Sequence, residues 1–161
     1  MSAPSPVNRM RRLALKTCGL FSGLLVARSA QSEHAEMRFP DEATHRIVYQ
    51  CNQADVDYLQ HVLFSVGELV RKYGDDVQIV VSAFGPGLHL LARHPQRPVP
   101  HVLQQKADSL SQYGVSFHAC ANTMKSLAWT DKDLLPFAVV VPIGADDIML
   151  LQEQGYAYIS W

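Results

Sequence analysis

The 161 residues fit one folded domain, and this length leaves no room for two. Apolar residues make up 48% of the chain, which is enough for a core. The formal net charge is −1, but five of the 14 basic residues and none of the 15 acidic ones lie in the first thirty positions. The remaining chain is therefore acidic, which excludes a protein that binds nucleic acid through its phosphates.

The first thirty residues have the order of an export signal. A basic segment precedes an apolar run that begins at Thr17, and small residues close the run. Arg11 and Arg12, with Lys16 behind them, resemble a twin-arginine signal, which exports proteins already folded. The apolar run is shorter than the roughly 20 residues that span a bilayer. We therefore predict a cleaved signal, a periplasmic protein and no membrane span after cleavage, with an uncleaved anchor as the alternative.

Residues 31–44 are polar and lack a hydrophobic period, so they predict a flexible lead-in to a domain over 45–161. Loss of the signal removes Cys18 and leaves Cys51 and Cys120. An oxidising compartment would allow these two cysteines to pair.

Short β-branched runs alternate with longer amphipathic stretches from His45 onwards. Strands are predicted at 46–50, 77–83, 115–119, 137–142 and 156–160. Helices are predicted at 56–73, 87–92, 99–113, 122–127 and 145–154. This alternation predicts an α/β fold, a three-layer α/β/α sandwich with a mostly parallel five-stranded sheet and right-handed crossovers.

Cys120 is the candidate reactive residue. Chemistry in such a sheet gathers beyond the carboxyl ends of the strands, and Cys120 lies between the third strand and a helix start. A thiol placed there faces unpaired N–H groups and the positive end of a helix dipole, and both favour the thiolate. The alternative is a buried cysteine that serves as a small hydrophobe.

His118 and Cys51 are the two neighbours that this placement suggests. His118 and Cys120 share the parity of one strand, so their side chains leave the same face about 6.5 to 7 Å apart. An imidazolium there could stabilise the thiolate, or the histidine could instead be hydrogen-bonded under a helix. Cys51 ends the first strand, where it either lines the same crevice or pairs with Cys120 if their Cα atoms lie within about 7 Å.

A glycine-rich turn follows the second strand, with the sequence Phe84-Gly85-Pro86-Gly87. Pro86 suits a first helical turn, and the glycines permit a tight turn or the close approach of a ligand. The turn lacks the glycine spacing of phosphate and dinucleotide loops, so neither NTP nor NAD is indicated. A structural turn is the more ordinary interpretation.

Three histidines, His89, His94 and His101, lack the compact spacing of a zinc site, so no metal is predicted. Paired carboxylates stand at two predicted helix starts, Asp55-x-Asp57 and Asp146-Asp147. Capping of the helix N-H groups explains these pairs better than acid and base catalysis does. The Gly-x-Ser-x-Gly pattern of a serine hydrolase is absent from the sequence.

Five segments stand out by their order and spacing: Arg46-Ile47-Val48-Tyr49, Phe84-Gly85-Pro86-Gly87, Phe117-His118-Ala119-Cys120-Ala121-Asn122-Thr123-Met124, Asp133-Leu134-Leu135-Pro136 and Gly155-Tyr156-Ala157-Tyr158-Ile159. Together they resemble the DsrE/DsrF-like family of sulfur-relay proteins, over about 45–161. The resemblance implies a cysteine that accepts sulfane sulfur as a persulfide and passes it to a partner thiol, often within an oligomer. Cys120 stands at the matching position. Ala121 replaces the glycine that commonly follows it, and an export signal is unusual among proteins that relay sulfur inside the cell.

The leading hypothesis is a periplasmic sulfurtransferase or sulfur carrier that uses Cys120 and His118. Its predicted substrate-binding residues are Asn122, Thr123, Gly85, Gly87 and Cys51. It requires no metal or organic cofactor, and its predicted partners are a sulfur donor or acceptor protein and further copies of the chain. One alternative is a non-catalytic module that binds a small ligand or a protein, with an inert Cys120. Another is a Cys51/Cys120 dithiol redox couple.

Overall fold

The computed structural model describes residues 43–161. The predicted export signal, Cys18 and all but the end of the predicted lead-in lie outside the described residues. The strands are β1 His45–Cys51, β2 Val77–Ala83, β3 Ser116–Cys120, β4 Ala138–Val141 and β5 Ala157–Ile159. The α-helices are α1 Val56–Tyr73, α2 His101–Gln112, α3 Ala121–Ser126 and α4 Gly144–Glu153. Short 3₁₀ helices cover Gly74–Asp76, Gly85–Leu91 and Asp131–Asp133.

The five strands form one parallel sheet in the order β4-β3-β2-β1-β5. The chain adds β2, β3 and β4 in turn on one side of β1, and α4 then leads it back to β5 on the other side. The predicted five-stranded, mostly parallel sheet is confirmed. The carboxyl ends of parallel strands lie at the same edge of a sheet. The last residues of β1, β2 and β3, which are Cys51, Ala83 and Cys120, therefore all lie at that edge.

Helix α1 forms where the hydrophobic period predicts it. The Asp55 side chain accepts a hydrogen bond from the backbone N–H of Tyr58 at 3.0 Å, which confirms the predicted cap. Gly74 ends the helix with φ +55°, a conformation that favours glycine. Four apolar side chains of one helix face are fully buried, namely Leu59, Val62, Leu63 and Val66. Burial of each stabilises the fold by about 1.5 to 3 kcal/mol.

Helices cover the two faces of the sheet unequally. The larger core lies where α1, α2 and the 85–91 segment pack against alternate residues of the central strands, among them Tyr49, Val81 and Phe117. On the opposite face, which we call the α4 face, Ile148 and Leu151 of α4 pack against Val48 and Val80. The α4 face therefore has a smaller apolar core and leaves room for polar side chains between the helix and the sheet.

The helix predicted at 87–92 is a 3₁₀ helix at Gly85–Leu91. Two glycines and a proline in the first three positions disfavour a sustained α-helical ladder. No helix among the described residues has the length and apolar character needed to cross a bilayer.

Candidate functional site

Cys120 ends β3 and directly precedes α3. Its Sγ accepts a hydrogen bond from the backbone N–H of Gly144, the first residue of α4, at 3.3 Å. The residue is 4% exposed, so the sulfur lies in a notch between β3 and the first turns of α3 and α4. The predicted position at the carboxyl edge of the sheet is therefore observed, together with a donor from α4 that the local sequence does not indicate.

The surroundings of Cys120 favour the thiolate. Burial is the largest single effect on its pKa, and burial raises it. Hydrogen bonds from the Thr123 side chain and from the backbone N–H groups of Thr123, Gly144 and Asn122 act in the opposite direction. Together they outweigh burial, so the pKa of Cys120 lies below the usual value of a cysteine.

His118 lies on the same sheet face as Cys120, as the strand parity predicts. Its Nδ1 lies 2.9 Å from both carboxylate oxygens of Asp147 in α4. Ser82 of β2 lies opposite His118 of β3 in the strand register. Its hydroxyl donates to the same carboxylate at 2.8 Å. The side chains of His118 and Asp147 are only 15% and 12% exposed. His118 is thus hydrogen-bonded beneath a helix, which is the second of the two interpretations that its sequence position allows.

Asp147 and Ser82 are the residues of this region that the sequence analysis missed. The predicted capping role of Asp147 is wrong, because α4 begins at Gly144 and Asp147 already lies in the helix, turned toward the sheet. Its neighbour Asp146 is exposed. One signal was present in the sequence, since Asp147 lies four residues before the apolar Leu151 and therefore on the same helix face.

The turn after β2 supports the notch from the other side. The backbone N–H of Gly85 donates to Thr123 Oγ1 at 3.0 Å, which links this turn to the residue that hydrogen-bonds Cys120. Gly85 has φ +52°, so glycine is favoured there. A Cβ on Gly87 would lie 2.1 Å from the carbonyl oxygen of Cys51, so Gly87 is required by close backbone packing.

Cys51 does not belong to this site. It is fully buried in the larger core, on the opposite face of the sheet from Cys120, and burial raises its pKa to about 12. Strand β2 separates the two cysteines, which places them about 9.5 Å apart across the sheet, beyond the roughly 7 Å limit for a disulfide. Both are free thiols. The structure therefore contradicts the predicted Cys51/Cys120 couple and the predicted contact of Cys51 with substrate.

Of the remaining predicted residues, Thr123 and the N–H of Asn122 bond Cys120, and Gly85 is linked to it only through Thr123. The Asn122 side chain is exposed. His89 is buried, and its Nδ1 accepts a hydrogen bond from the backbone N–H of Gln96 at 3.1 Å. Within 43–161, no three His, Cys, Asp or Glu side chains are close enough to hold a metal ion.

Comparisons with known proteins agree with this fold. Residues 57–161 match the sequence model of the DsrE/DsrF-like family. The structure is similar to that of the protein of unknown function MTH1491 from Methanobacterium thermoautotrophicum, with 27% identity and a TM-score of 0.65 over 73% of this chain and 99% of that one. It is also similar to the ychN protein from E. coli, with 12% identity and a TM-score of 0.62 over the same shares, a likeness that concerns the fold alone. No curated protein matches the chain.

Proposed function

Because the chain belongs to the DsrE/DsrF-like family, which is generally associated with sulfur relay, we propose that Cys120 carries sulfane sulfur as a persulfide. The observation that carries this proposal is the set of hydrogen bonds to Sγ from Thr123, Asn122 and Gly144. The thiolate is the nucleophilic form of cysteine, and these donors favour it by lowering the pKa of Cys120.

The transfer balances without a cofactor. The Cys120 thiolate attacks the outer sulfur of a donor persulfide R–S–SH, so a bond forms between Sγ and that sulfur while the donor's S–S bond breaks. The electron pair of the broken bond leaves with the donor as the thiolate R–S⁻. An acceptor thiolate then attacks the outer sulfur of Cys120–S–SH in the same way, and Cys120 returns to the thiolate. Each exchange needs only thiolates and one sulfane sulfur.

The partners and the compartment belong to the same proposal. The twin-arginine-like segment supports a periplasmic protein, and the donor and acceptor are then exported thiols or persulfides. The proposal also includes a homo-oligomer of this chain.

The mass of the protein after exposure to a persulfide donor tests the proposal. All proteins carry Cys18→Ser, so that Cys51 and Cys120 are the remaining cysteines; each full chain is incubated with glutathione persulfide, desalted and analysed intact. Wild type is expected to gain about 32 Da per transferred sulfur, and Cys120→Ser to gain nothing. Cys51→Ser serves as the matched control and is expected to load like wild type, because Cys51 is fully buried on the other face. No gain in wild type, or an equal gain in Cys120→Ser, would overturn the proposal.

One observation favours the non-catalytic module as the second candidate. Cys120 is 4% exposed, which is also the burial of an inert cysteine. Alkylation separates the two functions, because a carrier must react with iodoacetamide in the folded state. Labelling of Cys120 only after denaturation would eliminate the carrier and favour the module.

A further inference from the structure

The α4 face holds a polar network next to the sulfur. The Asp147 carboxylate accepts from Ser82 Oγ at 2.8 Å and lies 2.9 Å from His118 Nδ1. Ser82 Oγ also lies 3.4 Å from the carbonyl oxygen of Gly144. Since a hydroxyl has one proton, the shorter contact to Asp147 takes it. The network thus ties β2 and β3 to the first turn of α4 through the hydrogen bonds that Ser82 and His118 make to Asp147.

The first turn of α4 is held by this network and by the contact of Gly144 with Phe84. Ala145 and Asp146 are exposed, and the apolar contacts of the helix come later, from Ile148 and Leu151. Gly144 itself packs against the Phe84 ring and has no side chain of its own. Among the described residues, Asp147 is therefore the side chain that joins this turn to the central strands by hydrogen bonds.

The position of this turn matters to the sulfur because Gly144 supplies one of its donors. The N–H of Gly144 lies 3.3 Å from Cys120 Sγ, an ordinary distance for a hydrogen bond to sulfur, and a shift or tilt of the turn would weaken this bond. Asp147 lies three residues after Gly144, within the same helical turn, so its hydrogen bonds act on the position of Gly144.

We propose that Asp147, held by Ser82 and His118, is a positioning residue that keeps the Gly144 N–H directed at Cys120 Sγ. This inference rests on the proposed function, in which Cys120 is the sulfur-carrying thiol. Asp147 does not touch the sulfur or the transferred atom. It acts through the backbone of α4, and its carboxylate contributes geometry to the site.

The direction in which the pKa of Cys120 changes separates a positioning role of Asp147 from an effect of its charge. A carboxylate near a thiolate opposes its ionisation, so loss of the Asp147 charge alone would lower the pKa of Cys120. Loss of a hydrogen bond from Gly144 would instead raise it. Loss of a positive charge on His118 would also raise the pKa of Cys120. Such a loss would follow from removing the charge of Asp147 and not from removing its hydrogen bonds.

The test is the pH dependence of Cys120 alkylation by iodoacetamide in the full chain, with the labelled peptide identified by mass spectrometry. Asp147→Ala removes the network, and Asp147→Asn keeps an acceptor oxygen for His118 without the charge. Asp146→Ala removes the same charge from the same turn at an exposed residue and serves as the matched control. Circular dichroism and thermal unfolding establish that each variant is folded.

Asp147→Ala is expected to raise the midpoint of the alkylation profile by about one pH unit, which is about tenfold less thiolate at neutral pH. Asp146→Ala and Asp147→Asn are expected to stay within about twofold of wild type at neutral pH. An unchanged or lowered midpoint in Asp147→Ala overturns the proposal. An equal rise in Asp147→Asn overturns it as well, because the effect would then follow the charge.

Two further measurements complete the experiment. If Asp147→Ala does not fold, Ser82→Ala replaces it, and a smaller rise of the midpoint is expected because one of the contacts to Asp147 is lost. Intact mass after incubation with glutathione persulfide is measured on the same preparations. A raised midpoint with no loading of wild type would contradict the proposed function and leave the positioning role standing. Normal loading with unchanged midpoints would contradict the positioning role of Asp147 and leave the proposed sulfur carrier standing.

Discussion

At the scale of single residues, two cysteines in similar sequence positions have opposite properties. Cys51 and Cys120 each end a parallel strand at the same edge of the sheet. Cys51 faces the larger core, where burial raises its pKa to about 12. Cys120 faces the α4 side, where four hydrogen bonds lower its pKa despite burial. The donors at Cys120 decide the direction of its shift, since burial by itself raises the pKa of both thiols.

Thr123 contributes through its hydroxyl and can be tested by a matched pair of variants. Thr123→Val keeps the shape but removes the hydrogen bond to Sγ and the acceptor for Gly85 N–H. We expect the pKa of Cys120 to rise by about one unit, with about tenfold slower alkylation at neutral pH. Thr123→Ser keeps the hydroxyl and should remain close to wild type. Equal rates in all three proteins would show that the hydroxyl has no part in ionisation.

His89 predicts a pH dependence of stability. Burial, and then the charge of Arg97, lower the pKa of His89 in the folded state. The unfolded chain therefore binds a proton at higher pH than the folded one, so the contribution of His89 is complete above about pH 6.5 and declines as pH falls below that value. His89→Asn keeps an acceptor for Gln96 N–H but does not titrate. Urea unfolding at several pH values should show wild type losing stability relative to His89→Asn on acidification; parallel profiles would contradict this.

At the scale of secondary-structure elements, local pattern and tertiary packing decide different things. The period of apolar residues and the glycine stop predict α1 at 56–73, and the structure has it at Val56–Tyr73. The local pattern also predicts α4 at 145–154, close to the observed Gly144–Glu153. How its first turn docks depends instead on Gly144 fitting against the Phe84 ring, sixty residues earlier in the chain, and on the hydrogen bonds of Asp147. No local pattern contains these contacts.

A pair of glycine substitutions measures this contact. A Cβ on Gly144 would lie 2.9 Å from Phe84 Cδ1, so Gly144→Ala must displace either the ring or the helix start. We expect a loss of about 1 to 3 kcal/mol in the free energy of unfolding and slower alkylation of Cys120. Gly67 lies inside α1, where a Cβ would meet Leu110 at an ordinary 3.9 Å. Gly67→Ala should stabilise by up to about 1 kcal/mol. Urea unfolding of both variants checks the opposite signs.

At the scale of the whole molecule, the α4 side exposes apolar side chains in addition to the candidate site. Met149 and Leu150 of α4 are 49% and 44% exposed, and Val139 of the edge strand β4 is 49% exposed. The proposed oligomer would cover apolar area of this kind. The prediction that the protein forms an oligomer in solution therefore rests on these exposed residues and not on the fold.

Charge placed on α4 tests the proposed oligomer. Leu150→Glu would bury an unpaired carboxylate in a contact formed through α4, so we expect it to reduce the molar mass measured by light scattering to that of the single chain. Val102→Glu is the matched control, because Val102 is 62% exposed on α2, at the other face of the sheet. An unchanged mass in Leu150→Glu, or a monomeric wild type, would contradict the predicted contact.

The sequence by itself determined the strands and helices, their parallel arrangement, and the placement of Cys120 and His118 on one face, because periods of two and 3.6 residues are properties of neighbouring positions. It also carries the export-signal prediction, which concerns residues outside those that the structure describes. Only the tertiary structure decided that Cys51 faces away from Cys120 and that Asp147 joins Ser82 and His118. Those facts depend on strand register and on contacts between residues 29 and 65 positions apart. Such contacts form only when the whole sheet assembles, since the entropy of closing long loops is offset by the packing of the complete core.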